Sequence, residues 1–140
     1  MEAVRPQVQP GVTVYHTLTV FGVYLFVLGI GGMLAPDLIM GAVGMVPTHE
    51  IWGRVAALLV FNLAILYVWI IRTRSTAMIG FTVVTRMIVL VVLTLFVLTG
   101  LAPTNIIAFG VVDALGGLWT LWALRRDARV GRARPGSERA

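Results

Sequence analysis

Apolar residues run through this chain in four long blocks, at about 15–34, 51–71, 77–100 and 106–124. Each is close to the ~20 residues that a helix needs to cross a bilayer. The blocks are apolar on every face and lack the period-two alternation of membrane strands, which predicts helices. Polar punctuation falls between them. Ser75 or Thr76 stands where a cap for the third helix is needed, and Thr104 or Asn105 follows Pro103 at the start of the fourth. Thr48, after Pro47, can cap the second. The predicted architecture is all-α: an integral membrane four-helix bundle over residues 15–125, preceded by a leader, 1–14.

Two segments fall outside the four blocks. Residues 36–46, PDLIMGAVGMV, are apolar but too short to span, and predict a short helix lying in the membrane interface. Residues 126–140, RDARVGRARPGSERA, are rich in arginine and lack apolar periodicity. They predict a disordered basic tail drawn to anionic lipid heads, at about 1 kcal/mol per arginine near the surface. Because the tail adjoins a membrane helix, the lipid reading is preferred over nucleic acid. FVLGIGGMLAPDLI at 26–39 echoes FVLTGLAPTNII at 96–107, consistent with two duplicated helix hairpins.

Charge gives the chain a direction. Nine of the eleven arginines lie in the leader, the middle loop and the tail, whereas 35–50 and 101–105 have none. The positive-inside rule then predicts a multi-pass protein of the inner (plasma) membrane with both termini in the cytoplasm. Trp52 marks the outer edge of the second span, and Trp69, Trp119 and Trp122 mark inner edges, as an aromatic belt does.

Composition strengthens this reading and removes several chemistries. The chain is 59% hydrophobic and 12% charged, far from the balance of a soluble domain. It has no cysteine, and so no disulfide, thiol nucleophile or iron–sulfur cluster. It has no lysine for a Schiff base. Its two serines, Ser75 and Ser137, lie outside the spans, and one carboxylate, Asp113, lies within them. That leaves neither an intramembrane serine protease nor an aspartate pair. No catalytic residue and no metal site is expected. His16 and His49 fall on opposite membrane faces, and neither they nor Glu50 suggest more than interface or cap roles.

Polar groups inside the spans are costly there, so Arg54, Asn62, Arg86 and Asp113 are the candidate site. Arg86 and Asp113 stand at similar depth on consecutive helices. One reading is a structural Arg86–Asp113 bridge that clips the last two spans together. The other is functional: two arginines against one aspartate leave a positive surplus able to hold an anionic head group, a quinone carbonyl or a transported anion. Gly22 and Gly29 in the first span, and Gly110 and Gly117 in the fourth, are each seven residues apart and so share a face. They predict close helix packing, within the bundle or against a partner helix.

The layout over residues 15–125 resembles the small four-helix bacterial membrane proteins of the DoxX-like group. The resemblance rests on GIGGMLAPDLIMGAVG, on WGRVAALLVFNLAILY opening the second span, and on FGVVDALGGLWTLWALRR in the fourth. It implies association with a membrane redox or quinone-linked complex, and supplies no catalytic residues. The function expected from the sequence is a non-enzymatic scaffold or accessory subunit of such a complex. The alternative is an oligomeric binding or transport module for an amphipathic or anionic ligand. No cofactor is expected beyond a bound lipid or quinone. The expected partners are membrane lipids and either a second copy or other membrane subunits.

Overall fold

A computed structural model describes residues 11–46 and 51–132. The described chain is helical throughout: α1 (Val12–Leu34), α2 (Pro36–Ala42), α3 (Ile51–Thr73), α4 (Thr76–Leu98), a 3-10 turn (Thr104–Ile106) and α5 (Ile107–Arg132). Four of the helices are long and apolar enough to cross a membrane, and the chain is a multi-pass membrane protein. Thr48, His49, Glu50 and most of the leader and tail lie outside the described residues.

The helix ends follow local chemistry. Ser75 caps α4, its Oγ accepting from the Met78 amide at 3.4 Å. Pro36 opens α2 one residue after α1 closes, where its missing N–H costs nothing. α5 runs to Arg132, so the first seven residues of the expected disordered tail, 126–132, are helical. Arginine is a good helix former, and an exposed helix end needs no apolar stripe to continue. Arg126 also settles over the Trp122 ring, 5.3 Å from its centroid.

The bundle consists of two tight antiparallel pairs, α1 with α3 and α4 with α5, joined through α1 and α5. Glycine sets both pairs. A Cβ on Gly29 would stand 2.7 Å from the Phe61 backbone nitrogen, and one on Gly32 2.7 Å from the Ala57 Cβ. In the second pair, a Cβ on Gly110 would stand 3.0 Å from the Leu90 Cα, and one on Gly117 2.8 Å from the Met87 Cε. These close approaches replace the hydrophobic drive that lipid does not supply. Gly22, by contrast, is at an ordinary distance from the Tyr67 Cβ, 3.4 Å.

The two ends of the bundle differ. Val14, Leu18, Phe21 and Leu25 of α1 pack with Tyr67 and Ile70 of α3, Ile79 of α4 and Ala123 of α5. This core fills the half nearest the arginine-rich ends of the helices. Toward the other end, capped by α2, the helices enclose an open space instead.

Candidate functional site

Arg86 is the most deeply buried charge among the described residues, with 3% of its surface exposed. Its side chain crosses from α4 to the other helices. The guanidinium carbon lies 3.5 Å from the centroid of the Phe21 ring on α1. Nε donates to the Tyr67 hydroxyl on α3 at 2.9 Å, and Nη1 to Thr120 Oγ1 on α5 at 3.4 Å. Nη2 is buried without a hydrogen-bond partner among the described residues. A Cβ at Gly116 would stand 2.9 Å from Nη1 and 2.9 Å from the Phe21 ring, so the glycine makes the slot in which both groups sit.

Two threonine hydroxyls stand together beside it. Thr17 and Thr120 are both buried, and their oxygens are 3.1 Å apart across the α1–α5 contact. Thr17 donates to the Val14 carbonyl at 2.8 Å and Thr120 to that of Gly116 at 2.9 Å. One cation thereby touches all four spanning helices. This meets the requirement that an intramembrane charge face inward and find polar partners.

The expected Arg86–Asp113 bridge is not formed. Asp113 stands one turn before Gly116, beside which Nη1 sits, and seven residues before Thr120 on α5, and its carboxylate does not come within ion-pair distance of the guanidinium. The Arg86 hydrogen bonds go instead to Tyr67 and Thr120. Asp113 makes no hydrogen bond among the described residues, and its side chain lines the open space between the helices.

That space is a cavity of about 430 Å³. Its walls come from α1, α2, α3, α4 and α5, including Leu28, Ile39, Val60, Leu93 and Phe109. Asp113 and Tyr24 are its polar-bearing side chains, and the remaining lining residues are apolar or glycine. The volume is within the range of sites for small ligands, and a mostly apolar wall with a few polar groups is their usual character.

Arg54 and Asn62 are elsewhere. Arg54 is exposed at the α2 end and donates from Nη1 to the Met33 carbonyl in the last turn of α1. A cation there meets the negative end of the helix dipole. The two arginines are thus engaged separately, and the interior does not carry their joint positive surplus. Asn62 is exposed on the outside of α3.

Several members of the arrangement lie outside the candidate site expected from the sequence. Tyr67 and Phe21 lie in apolar runs, and their role depends on a helix contact that periodicity does not specify. Asn105, expected as a helix cap, donates from Nδ2 to the carbonyls of Val43 and Gly44 at 3.0 and 2.7 Å. It ties the segment after α2 to the start of α5, next to Met45 and Ile106, which line the cavity. Among the described residues no group of three or more His, Cys, Asp or Glu is arranged to hold a metal. Comparison with protein-family models, curated proteins and solved structures gives no match.

Proposed function

We propose that this protein is a membrane binding module that holds a small amphipathic molecule between its helices. The observation that carries this reading is the cavity: an apolar wall with Asp113 as its one carboxylate and the Tyr24 hydroxyl as its other polar group. An apolar tail fits the wall. The carboxyl of Asp113 suits a head group that offers a hydrogen bond, such as a hydroxyl or amine. An anionic head is disfavoured, because Arg86 is held by Tyr67, Thr120 and Phe21 and Arg54 lies outside the cavity. The cavity favours this reading over a pure scaffold, since a helix assembly that only bridges partners has no use for an internal space. Arginine placement supports an orientation with both termini in the cytoplasm. In that orientation the cavity, lined by α2 and the helix ends beside it, lies in the outer half of the membrane.

The test is extraction of the protein in a mild detergent, followed by native mass spectrometry and identification of retained small molecules. The wild-type protein is expected to retain a molecule of lipid-like mass. Ala56→Phe fills the cavity from its wall and is expected to lose it without loss of thermal stability. Equal occupancy in both proteins, or none in the wild type, overturns the reading.

A further inference from the structure

Asn62 is the twelfth residue of the 23-residue α3, eleven from either end. The helical rise puts it about 16 Å from each end, at the middle of the membrane. It is exposed, and it makes no hydrogen bond among the described residues. Other polar side chains in the spans are differently placed. The hydroxyls of Thr17, Thr19, Thr82, Thr85, Thr94 and Thr120 each donate to a carbonyl of their own helix. Arg86 is buried. Among the described residues Asn62 is the exposed amide, hydroxyl or charged side chain in the middle third of a span. In hydrocarbon an amide without a partner is costly.

Its neighbours on the helix surface are ordered. Trp52, Val55, Leu59, Asn62, Leu66 and Trp69 follow one another at spacings of three, four, three, four and three. All six are exposed. This is the a/d spacing of a left-handed helix pair, with a single asparagine inside an apolar seam. No such run is needed for packing inside the bundle, where α3 buries Ala57, Ala64, Tyr67 and Ile70 instead.

We infer that this seam joins two copies of the chain, α3 against α3, about a twofold axis along the membrane normal. The exposed amide at mid-depth argues for a second copy, because twofold pairing in the membrane satisfies it. The axis brings each Asn62 opposite the other at equal depth, and a carboxamide is its own complement: each donates an N–H to the other's carbonyl. Flanking apolar residues interdigitate as knobs into holes, and Asn62 sets register and copy number. The interface is independent of the ligand, because Asn62 does not line the cavity.

The chain has no cysteine, so single-cysteine variants report cleanly. The full chain in bilayers is oxidised with Leu59→Cys, Leu66→Cys or, off the seam, Val68→Cys. The first two are expected to cross-link into dimers and the third to stay largely uncrosslinked. Molecular mass in detergent across a dilution series then gives the dimer dissociation constant. Asn62→Val removes both reciprocal bonds and is expected to raise it between about eightfold and three-hundredfold, twice the free energy of one interhelical hydrogen bond in a membrane. Asn62→Gln, which keeps the amide, is expected to restore most of the affinity. Retained melting temperature in both variants shows that the protomer is folded. A monomeric wild type, equal cross-linking from Val68→Cys, an unchanged constant in Asn62→Val, or cross-links solely to a different protein would each overturn the inference.

Discussion

The guanidinium of Arg86 lies on the ring of Phe21, its central carbon 3.5 Å from the ring centroid, while Nε donates to Tyr67 from the same buried position. A cation within a membrane bundle is thus held by an aromatic face and by neutral hydroxyls in place of a carboxylate. The ring quadrupole attracts the charge, and desolvation raises the value of that contact to about 2 kcal/mol or more.

Phe21→Leu keeps the apolar volume roughly constant but removes the ring. It is expected to lower stability by about 2 kcal/mol, measured as a denaturant or thermal midpoint in detergent. Thr120→Val removes one acceptor and is expected to cost about 0.6–1.7 kcal/mol, the scale of hydrogen bonds in membrane bundles. If Phe21→Leu were no worse than Thr120→Val, the ring would be serving as ordinary packing.

Two glycines offer a controlled comparison in helices of equal length. A Cβ on Gly29 would meet the Phe61 backbone at 2.7 Å, and backbone cannot swing aside. Gly29→Ala is expected to separate α1 from α3 and cost about 1–3 kcal/mol. A Cβ on Gly80 meets nothing within 4 Å. Gly80→Ala is expected to be neutral or to stabilise α4 by up to about 1 kcal/mol. Melting curves of the two variants should fall on opposite sides of the wild type or flank it closely. A similar loss in both would mean that backbone flexibility, not close approach, is what these positions require.

The spans were legible because each depends on an unbroken apolar run and little else. Expected and observed limits agree within a few residues for three of the four, and α5 departs by running on to Arg132. The Ser75 cap was equally legible, since the requirement is local. The site was legible only in its members. Burial cost singles out Arg86 and Asp113, but depth along an ideal helix axis does not say which way a long arginine side chain turns. Arg86 turns toward Tyr67 and Phe21, and those residues look like any other aromatics in an apolar run. Asn62 and Arg54 were singled out by the same cost and lie outside the interior altogether.

Asn105 links two segments far apart in sequence through the carbonyls of Val43 and Gly44. Gly44 has φ +70°, a conformation that glycine adopts without strain. Asn105→Ala leaves both carbonyls without this donor and is expected to cost about 1–3 kcal/mol locally if they stay buried. The loss should appear first as faster amide exchange in 36–46, while the core residues of α1 and α3 keep their protection. Uniform acceleration across the bundle would show that this tie is coupled to the whole fold.

The separation of Asp113 from the Arg86 hydrogen bonds gives the last prediction. A bridged pair would lose similar stability from either side, because each single replacement strands the other charge. Here Arg86 holds Tyr67 and Thr120, whereas Asp113 makes no hydrogen bond among the described residues and faces the cavity. Arg86→Gln removes the stacked cation and shortens the bonding arm, and is expected to cost about 2–4 kcal/mol. Asp113→Asn is close to isosteric and is expected to cost under about 1 kcal/mol, since no bonded partner is lost. The same variant is expected to reduce the amount of small molecule that co-purifies. Chemical denaturation of the two single variants and the double variant checks the asymmetry. Equal losses with a coupling of several kcal/mol would mean that the two charges meet in the membrane after all, and the cavity would lose its polar anchor.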